Sequence, residues 1–293
     1  MFTPRSIGIV APMDKAGVPE AMSVAQDILI AKGMNPIFVR NRRHLDELTK
    51  DLDMIVSFGG DGTMLALASF AARNEIPLAG VNLGRLGFLT TCSVQELESF
   101  SEALCLGSCT VELRTMLEAY PVNESGKQRC ECKLALNEVT LTRSKSGKMV
   151  DLDAVVDGSL LNRYHADGVI VATPTGSSAY SLSAGGPLVW PDSSVFCVTP
   201  ICPHSLTNRS VVLPDHVEIC LRPRERRGRV DVMEYSLVGR DTLSISVGES
   251  LVIRKATQAL SLVHMPNYNF GELLRAKLRW QGSELPWDQD SHL

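Results

Sequence analysis

The sequence has few aromatic residues, no long hydrophobic run and little net charge. Aromatic side chains make up 5% of the 293 residues, so the core must be mostly aliphatic. No segment approaches the roughly 20 consecutive apolar residues that a membrane-spanning helix requires. The formal net charge of -4 gives the chain no global attraction to nucleic acid or to anionic lipid. We therefore expect neither as a partner, and any anionic ligand must be held by a local site.

Nothing in the sequence indicates secretion. The apolar run at residues 7–11 is shorter than the roughly 7–15 residues of a signal-peptide core. The eight cysteines include no C-x-x-C motif, and no pair of them is matched by a second Cys or His pair at zinc-ligand spacing. Reduced, mostly buried thiols are expected, because free cysteine behaves as a small apolar residue. We expect a cytoplasmic protein.

The first hundred residues alternate between two hydrophobic patterns. Short β-branched runs predict strands, and apolar residues at helical spacing predict helices. The predicted strands are 7–11, 36–39, 54–58 and 78–81, and the predicted helices are 20–32 and 63–73. Strands alternating with helices require crossover connections, which produce a parallel sheet with helices on its faces. The sequence predicts a Rossmann-like, doubly wound α/β domain over residues 1–108.

After about residue 110, short β-branched runs recur with turn signals and few helices between them. The runs are 134–141, 151–156, 168–172, 195–199, 211–213, 217–221, 244–247 and 251–253. This pattern favours an antiparallel β domain, either sandwich or barrel, over residues 109–265. Residues 270–280 return to helical spacing. We expect this last segment, 266–293, to pack on the α/β domain as a helix and tail.

The first candidate site is the sequence Gly-Gly-Asp-Gly-Thr at residues 59–63, between a predicted strand and a helix. Glycines there let the backbone turn sharply and bring N–H groups against phosphate oxygens, helped by the positive end of the next helix. The alternative is a tight turn in which Asp61 caps the helix. The motif is neither a P-loop nor the G-x-G-x-x-G fingerprint, because Leu65 stands where the third glycine is required.

The second candidate site is the stretch 167–187, in which an apolar strand runs into small, hydroxylated and glycine residues. Such a segment allows close backbone approach and offers many donors and acceptors to a flat polar ligand. Tyr180 is placed to stack on a base. The alternative is a surface loop built from small residues.

The third candidate site is the pair Asn137 and Glu138, inside the strand-like run 134–141. Adjacent strand residues point to opposite faces, so at least one of the two interrupts an apolar face. A buried Asn or Glu needs hydrogen-bond partners, which a ribose or an adenine can supply. The alternative is an edge strand with one polar face.

In order and spacing, these motifs and the segment 82–89 (Asn-Leu-Gly-Arg-Leu-Gly-Phe-Leu) resemble the bacterial NAD kinase family. The resemblance covers nearly the whole chain, including residues 268–280. The Gly-Gly-Asp-Gly element is shared with diacylglycerol-type lipid kinases and phosphofructokinases. The run Thr-Pro-Thr-Gly-Ser-Ser-Ala-Tyr-Ser-Leu-Ser-Ala-Gly-Gly-Pro at 173–187 is far more specific to NAD kinases.

The resemblance implies an α/β domain joined to a β-sandwich-like domain, with the active site between them. It implies transfer of the terminal phosphate of ATP to the adenosine 2′-hydroxyl of NAD, which gives NADP. A divalent ion, Mg²⁺ or Mn²⁺, would be carried with the phosphate donor, and we assign no metal ligands to the chain itself. Assembly into a homo-oligomer, a dimer or a tetramer, is also implied. Polyphosphate as a donor and NADH as an acceptor remain open.

The resemblance also assigns roles to residues. Asp61 matches the aspartate proposed to accept the proton of the 2′-hydroxyl. Loop residues near the phosphates correspond to Gly59, Gly60, Gly62 and Thr63. Residues that hold NAD through its adenosine and nicotinamide ends correspond to Asn137, Glu138 and Asp167. The loop around the dinucleotide corresponds to Ser178, Ala179, Tyr180, Ser181, Leu182 and Ser183. Lys148 and His165 stand at positions where family members carry variable cationic or polar contacts.

The sequence departs from the family pattern at one edge of the expected site. Ala166 stands where a serine is common. Val238 and Arg240 replace the Asp and Gln of an Asp-Gly-Gln pattern, so Arg240 takes the place of a residue that contacts the ligand. Two alternative functions remain at this stage. One is a lipid kinase of the Gly-Gly-Asp-Gly type, and the other is a non-catalytic dinucleotide sensor.

Overall fold

The computed structural model describes residues 2–12, 17–84, 87–144, 148–225, 232–237 and 240–280, with the backbone alone at Arg240 and Asp241. Val238 lies outside the described residues, as does the side chain of Arg240. None of the helices in these ranges is long and apolar enough to cross a membrane.

The N-terminal half is an α/β layer structure built on a parallel sheet. Its elements are β1 (Ser6–Val10), α1 (Val18–Ala31), β2 (Asn35–Phe38), α2 (Arg42–Leu48), β3 (Met54–Phe58), α3 (Asp61–Arg73), β4 (Leu78–Asn82), β5 (Cys92–Ser93) and α4 (Leu97–Cys105). Strands β4, β3, β1 and β2 lie side by side in that order and pair in parallel. Every residue of β3 and β4 is buried, as expected for strands covered on both faces.

The C-terminal half is almost entirely antiparallel. Its elements are β6 (Thr110–Val122), β7 (Lys133–Ala135), β8 (Glu138–Arg143), β9 (Val150–Val156), β10 (Ser159–Ala166), β11 (Gly168–Ala172), α5 (Tyr180–Ser183), β12 (Val195–Ile201), β13 (Val211–Pro214), β14 (Ile219–Pro223), β15 (Met233–Leu237), β16 (Arg240–Ile245), β17 (Ser250–His264) and α6 (Phe270–Leu278). Strands β13, β12, β11, β8, β15 and β16 form one sheet in that order. Its inner face packs on β6, β9, β14 and β17 around a shared apolar core, which makes a β-sandwich.

One long strand joins the two halves. Strand β17 pairs antiparallel with β6 and β14, and near its end it pairs in parallel with β4, where Leu262 lies opposite Leu78. The parallel sheet and one sheet of the sandwich are therefore a single hydrogen-bonded sheet. The relative placement of the two halves is fixed by backbone hydrogen bonds rather than by a linker.

Helix α6 closes the chain over the junction of the two halves. Its N-cap residue Asn269 accepts a hydrogen bond from the Glu272 N–H at 3.1 Å. Its buried face consists of Phe270, Leu273 and Leu274, which pack with Phe88 from the α/β half and Leu188 from the β half.

The predicted combination of an α/β half, a β-sandwich and a returning helix is confirmed. One local prediction is wrong, because the run 134–141 is not one strand. The run is interrupted at Leu136 and Asn137, between β7 and β8. At these two residues the backbone carbonyls bond to Thr173 instead of to a neighbouring strand. The Thr173 N–H donates to the Asn137 carbonyl at 2.9 Å, and its hydroxyl donates to the Leu136 carbonyl at 2.5 Å.

The sandwich core gives a stability prediction. Phe196 on β12 is fully buried among apolar side chains, whereas Leu206 is 87% exposed. Phe196→Ala should lower the free energy of unfolding by about 3–5 kcal/mol, because it removes apolar burial and leaves a cavity. Leu206→Ala should change it by less than about 0.5 kcal/mol. Urea unfolding followed by circular dichroism measures both, and equal losses would contradict the assigned core.

Candidate active site

The Gly-Gly-Asp-Gly loop leaves β3 and turns immediately into α3. Gly59 has φ +154°, and a Cβ at this residue would lie 2.4 Å from the Thr63 hydroxyl oxygen. Only glycine fits both the conformation and the space. Gly60 is the N-cap of α3, and no side chain caps the helix. The first amides of a 13-residue helix are therefore left without a capping side chain, a favourable arrangement for an anion.

Asp61 does not cap α3, so the alternative of a simple capping turn is wrong. Its carboxylate reaches to the loop after β4, where Oδ2 accepts the N–H of Phe88 at 2.8 Å and Oδ1 accepts the N–H of Leu89 at 2.9 Å. A Cβ at Gly87 would lie 1.9 Å from Oδ1, so glycine is required there as well. Two charge-assisted hydrogen bonds hold the carboxylate in one orientation.

The second loop of the site packs directly on Asn137. A Cβ at Gly176 would lie 2.0 Å from the Asn137 carbonyl oxygen, so the two backbones are in contact. The Thr173 hydroxyl accepts the Gly176 N–H at 3.0 Å, in addition to its bond to the Leu136 carbonyl. The Thr-Pro-Thr-Gly turn and the break between β7 and β8 therefore form one rigid unit.

Three buried polar atoms of this unit have no hydrogen-bond partner within the part of the chain that the structure describes. They are Oδ1 of Asn137, Oε2 of Glu138 and Oγ1 of Thr175. Burial raises the pKa of Glu138 to about 7. Because unpartnered buried polar groups cost free energy, this cluster is suited to a ligand that supplies donors and acceptors. Thr175 lies within the candidate stretch 167–187, but the sequence assigned it no individual role.

The two loops belong to one site. Leu89, whose N–H binds Asp61, and Leu136, which precedes Asn137, pack in the same buried cluster with Met64 of α3. The loop that binds the Asp61 carboxylate and the loop that carries the unpartnered polar atoms thus border the same apolar cluster. Within the described residues, no group of three or more His, Cys, Asp and Glu side chains is arranged to hold a metal ion.

The residues after Ser177 differ in exposure. Tyr180 is 44% exposed at the start of α5, and Ser183 is also exposed, whereas Ala179 and Leu182 are half-buried. Ser181 is buried, and its hydroxyl hydrogen-bonds to that of Thr199 at 3.1 Å. The half-buried Ser178 donates to the Thr175 carbonyl at 3.2 Å. Tyr180 therefore presents a free aromatic face beside the loop, while Ser181 fastens α5 to the sheet.

Of the remaining expected residues, His165 lies on β10, Asp167 lies between β10 and β11, and Lys148 precedes β9. Asp167 is paired with Arg143 at 2.8 Å, and His165 lies 2.6 Å from a carboxylate oxygen of Asp151. The ring of His165 is also 5.5 Å from the ring of His204. Lys148 is exposed. Unlike the buried oxygen atoms of Asn137, Glu138 and Thr175, the side chains of Asp167 and His165 have partners within the chain.

Fold and site together define a class of protein, namely a nucleotide phosphotransferase with its site between an α/β half and a β half. Two family models match the chain, the ATP-NAD kinase N-terminal domain over residues 15–108 and the ATP-NAD kinase C-terminal domain over residues 136–265. The chain therefore belongs to the NAD kinase family.

Individual relatives agree with this family. The chain is 40% identical over 235 residues to an NAD kinase of Sulfurimonas denitrificans, covering 80% of each chain. It is 36% identical over 282 residues to an NAD kinase of Gemmatimonas aurantiaca, covering 94% of this chain and 96% of the relative. These matches support NAD kinase activity over the lipid-kinase alternative.

Solved structures show the same fold. A yeast NADH kinase complexed with NADH superposes with a TM-score of 0.83 at 24% identity, covering 97% of this chain and 90% of that chain. An NAD kinase from Archaeoglobus fulgidus in complex with ATP has a TM-score of 0.73 at 26% identity, covering 94% and 100%.

The pKa of Glu138 gives a prediction about stability. Its pKa is raised to about 7 in the folded state, above the roughly 4.3 of an exposed glutamate. The folded state then binds more protons between these values, so stability falls as the pH rises from about 4 to 7. Glu138→Gln removes this penalty, and the variant should be about 1–3 kcal/mol more stable than the wild type at pH 8.

The difference should shrink toward pH 4.5, and urea unfolding at several pH values measures it. A Glu138→Gln difference that is the same at pH 4.5 and pH 8 would show that this carboxyl has an ordinary pKa.

Proposed function

We propose that the chain transfers the terminal phosphate of ATP to the adenosine 2′-hydroxyl of NAD at the junction of its two halves. The observation that carries this proposal is the orientation of Asp61. Its carboxylate is held by two backbone N–H groups, and Leu89, which supplies one of them, belongs to the same apolar cluster as Leu136, next to the unpartnered polar atoms. A hydroxyl bound at that loop can be directed at the carboxylate.

Asp61 acts as the acceptor of the hydroxyl proton. Phosphoryl transfer depends mainly on in-line positioning and on neutralising the charge of the donor, so the carboxylate accepts the proton late. General-base assistance of this kind contributes about 10²–10⁴-fold to the rate. The N–H donors of Phe88 and Leu89 occupy one lone pair on each oxygen, which leaves the others for the substrate hydroxyl.

NAD is held by the polar cluster and the loop that follows it. Asn137, Glu138 and Thr175 provide the buried oxygen atoms to which ribose hydroxyls and amino groups of the bases can bind. With a pKa of about 7, Glu138 can accept a hydrogen bond when ionised and donate one when protonated. Tyr180 stacks on a base with its exposed face, and Asp167 and His165 contact the more distant end of the dinucleotide.

The phosphates lie at the start of α3. The N–H of Gly59 donates to the Val81 carbonyl at 2.9 Å, so the amides of Gly60 and Gly62 remain for the phosphates, and the helix dipole favours negative charge. When bound, a divalent ion such as Mg²⁺ or Mn²⁺ supplies neutralisation of the transferred phosphate.

The setting of the reaction is proposed from the family resemblance. The chain acts in the cytoplasm and assembles into a homo-oligomer, a dimer or a tetramer. Light scattering coupled to size-exclusion chromatography measures the oligomeric state directly, and a monomer at micromolar concentration would reject the proposed assembly.

Parallel assays with ATP and inorganic polyphosphate identify the donor, and parallel assays with NAD and NADH identify the preferred acceptor.

Replacement of the base provides the main test. Asp61→Asn should lower kcat by about 10²–10⁴-fold and change the dissociation constant of NAD by less than about threefold. NADP formation from NAD, ATP and Mg²⁺ is measured in a coupled assay, and NAD binding is measured by calorimetry.

The asparagine places an amide NH₂ against one of the two backbone donors, so circular dichroism is needed to confirm that the variant is folded. Near-full turnover by folded Asp61→Asn would refute the base assignment. A wild-type protein that binds NAD but forms no NADP with any donor would be a dinucleotide sensor.

A further inference from the structure

We propose that helix α6 is a positioning element for catalysis, which holds the Asp61 carboxylate at a fixed place relative to the nucleotide-binding loop. The inference rests on the proposed role of Asp61. It concerns a group of apolar side chains that we call the α6 cluster. Its buried members are Phe270, Leu273 and Leu274, and the partly buried side chains packed against them are Phe88, Leu188, Tyr268 and Leu278.

The first step links α6 to Asp61. The backbone N–H of Phe88 donates to the Asp61 carboxylate at 2.8 Å, and its ring packs in the α6 cluster. Its neighbour Gly87 has no side chain and lies against the carboxylate itself. The Phe88 ring is therefore a main anchor of this part of the loop. The ammonium group of Lys277 on α6 lies 5.5 Å from the centre of that ring, at a cation–π distance.

The second step fixes α6 to the sheet. Tyr268, just before the helix, stacks on the buried ring of His264 at 3.8 Å between ring centres. His264 is the last residue of β17, and its Nε2 lies 3.1 Å from a carboxylate oxygen of Glu112 on β6. The buried Arg114 donates to the same oxygen at 2.7 Å. The start of α6 is thus anchored in a buried ionic network on the strands that join the two halves.

The third step links α6 to the nucleotide-binding loop. Leu188 belongs to the α6 cluster, and the N–H of the next residue, Val189, donates to the Ser177 hydroxyl at 3.0 Å. That hydroxyl donates in turn to the Pro174 carbonyl at 2.6 Å, inside the Thr-Pro-Thr-Gly turn. Trp190 adds an edge-to-face contact with Phe270 at 5.1 Å.

These contacts separate binding from catalysis. Asn137 and Glu138 lie at the start of β8, and the turn that carries Thr175 is also fixed by the Thr173 hydroxyl, which bonds to the Leu136 carbonyl and the Gly176 N–H without involving α6. Loosening the α6 cluster should therefore leave NAD binding largely unchanged. The orientation of Asp61 depends on the cluster through Phe88. Because a displacement of about 1 Å can cost up to about 10²-fold in rate, a loosened cluster should lower kcat with little effect on KM.

The test is Phe88→Leu with a matched control. Phe88→Leu should lower kcat by about tenfold or more and change the KM for NAD by less than about threefold. Phe70→Leu is the control, because Phe70 is also a packed ring with a cation on it, Arg42 at 4.4 Å, but belongs to a different apolar cluster from that of α6. After correction for the folded fraction, Phe70→Leu should keep kcat within about twofold. Phe88→Tyr, which preserves the ring, should restore most of the rate.

A double-mutant cycle distinguishes positioning from a general structural effect. If Phe88 acts through Asp61, Phe88→Leu in the Asp61→Asn background should lower kcat by less than about twofold further. Lys277→Met, a change at a half-buried side chain, provides a variant that should fold normally and lower kcat by about two- to fivefold.

The outcomes separate this inference from the function on which it rests. A full multiplicative loss in the double variant, or equal kcat losses for Phe88→Leu and Phe70→Leu, would overturn the positioning role while leaving Asp61 as the base. Near-full turnover by Asp61→Asn would instead reject the base assignment itself, and the positioning role with it.

Discussion

Strand β17 pairs with β6 and β14 in the sandwich and with β4 in the parallel sheet, and the active site depends on this shared pairing. A hinge between separate domains would leave the distance between the two site loops to a flexible linker. Here the Asp61 loop leaves β3 of the continuous sheet, and the nucleotide-binding loop leaves β11 of the second sheet, which packs on the first through the buried sandwich core. Catalysis by positioning requires such rigidity, because much of the rate advantage comes from holding the reacting groups in place before the reaction.

The two sides of the site are prepared in different ways. On the α/β side, the Asp61 carboxylate is already bound by two N–H donors, and its orientation is set before any substrate arrives. On the β side, Asn137, Glu138 and Thr175 keep buried oxygens without partners in the described chain. Burying these atoms without partners lowers the free energy of unfolding, and a bound dinucleotide that hydrogen-bonds to them can offset that loss. One side is therefore built for reactivity and the other for affinity.

Much of the fold could be predicted from local patterns. The alternation of strand and helix signals up to residue 81 indicated a parallel sheet, and the predicted strand 54–58 matches β3 residue for residue. The run 134–141 was wrongly predicted as one strand, because its apolar pattern continues through residues 136 and 137. The strand is interrupted there by contacts with Thr173 and Gly176. Those residues lie more than 30 positions away, and no local propensity encodes such a contact.

By itself, the sequence determined the two-part architecture, the identity of Asp61 as the reactive candidate and the family. These features depend on hydrophobic periodicity and on glycine motifs, which are local properties of the chain. Only the tertiary structure decided that Asp61 binds the loop at Phe88 and Leu89 instead of capping its own helix, and that Thr175 joins the polar cluster. Both follow from hydrogen bonds and packing between segments far apart in sequence, where geometry rather than residue type selects the partner.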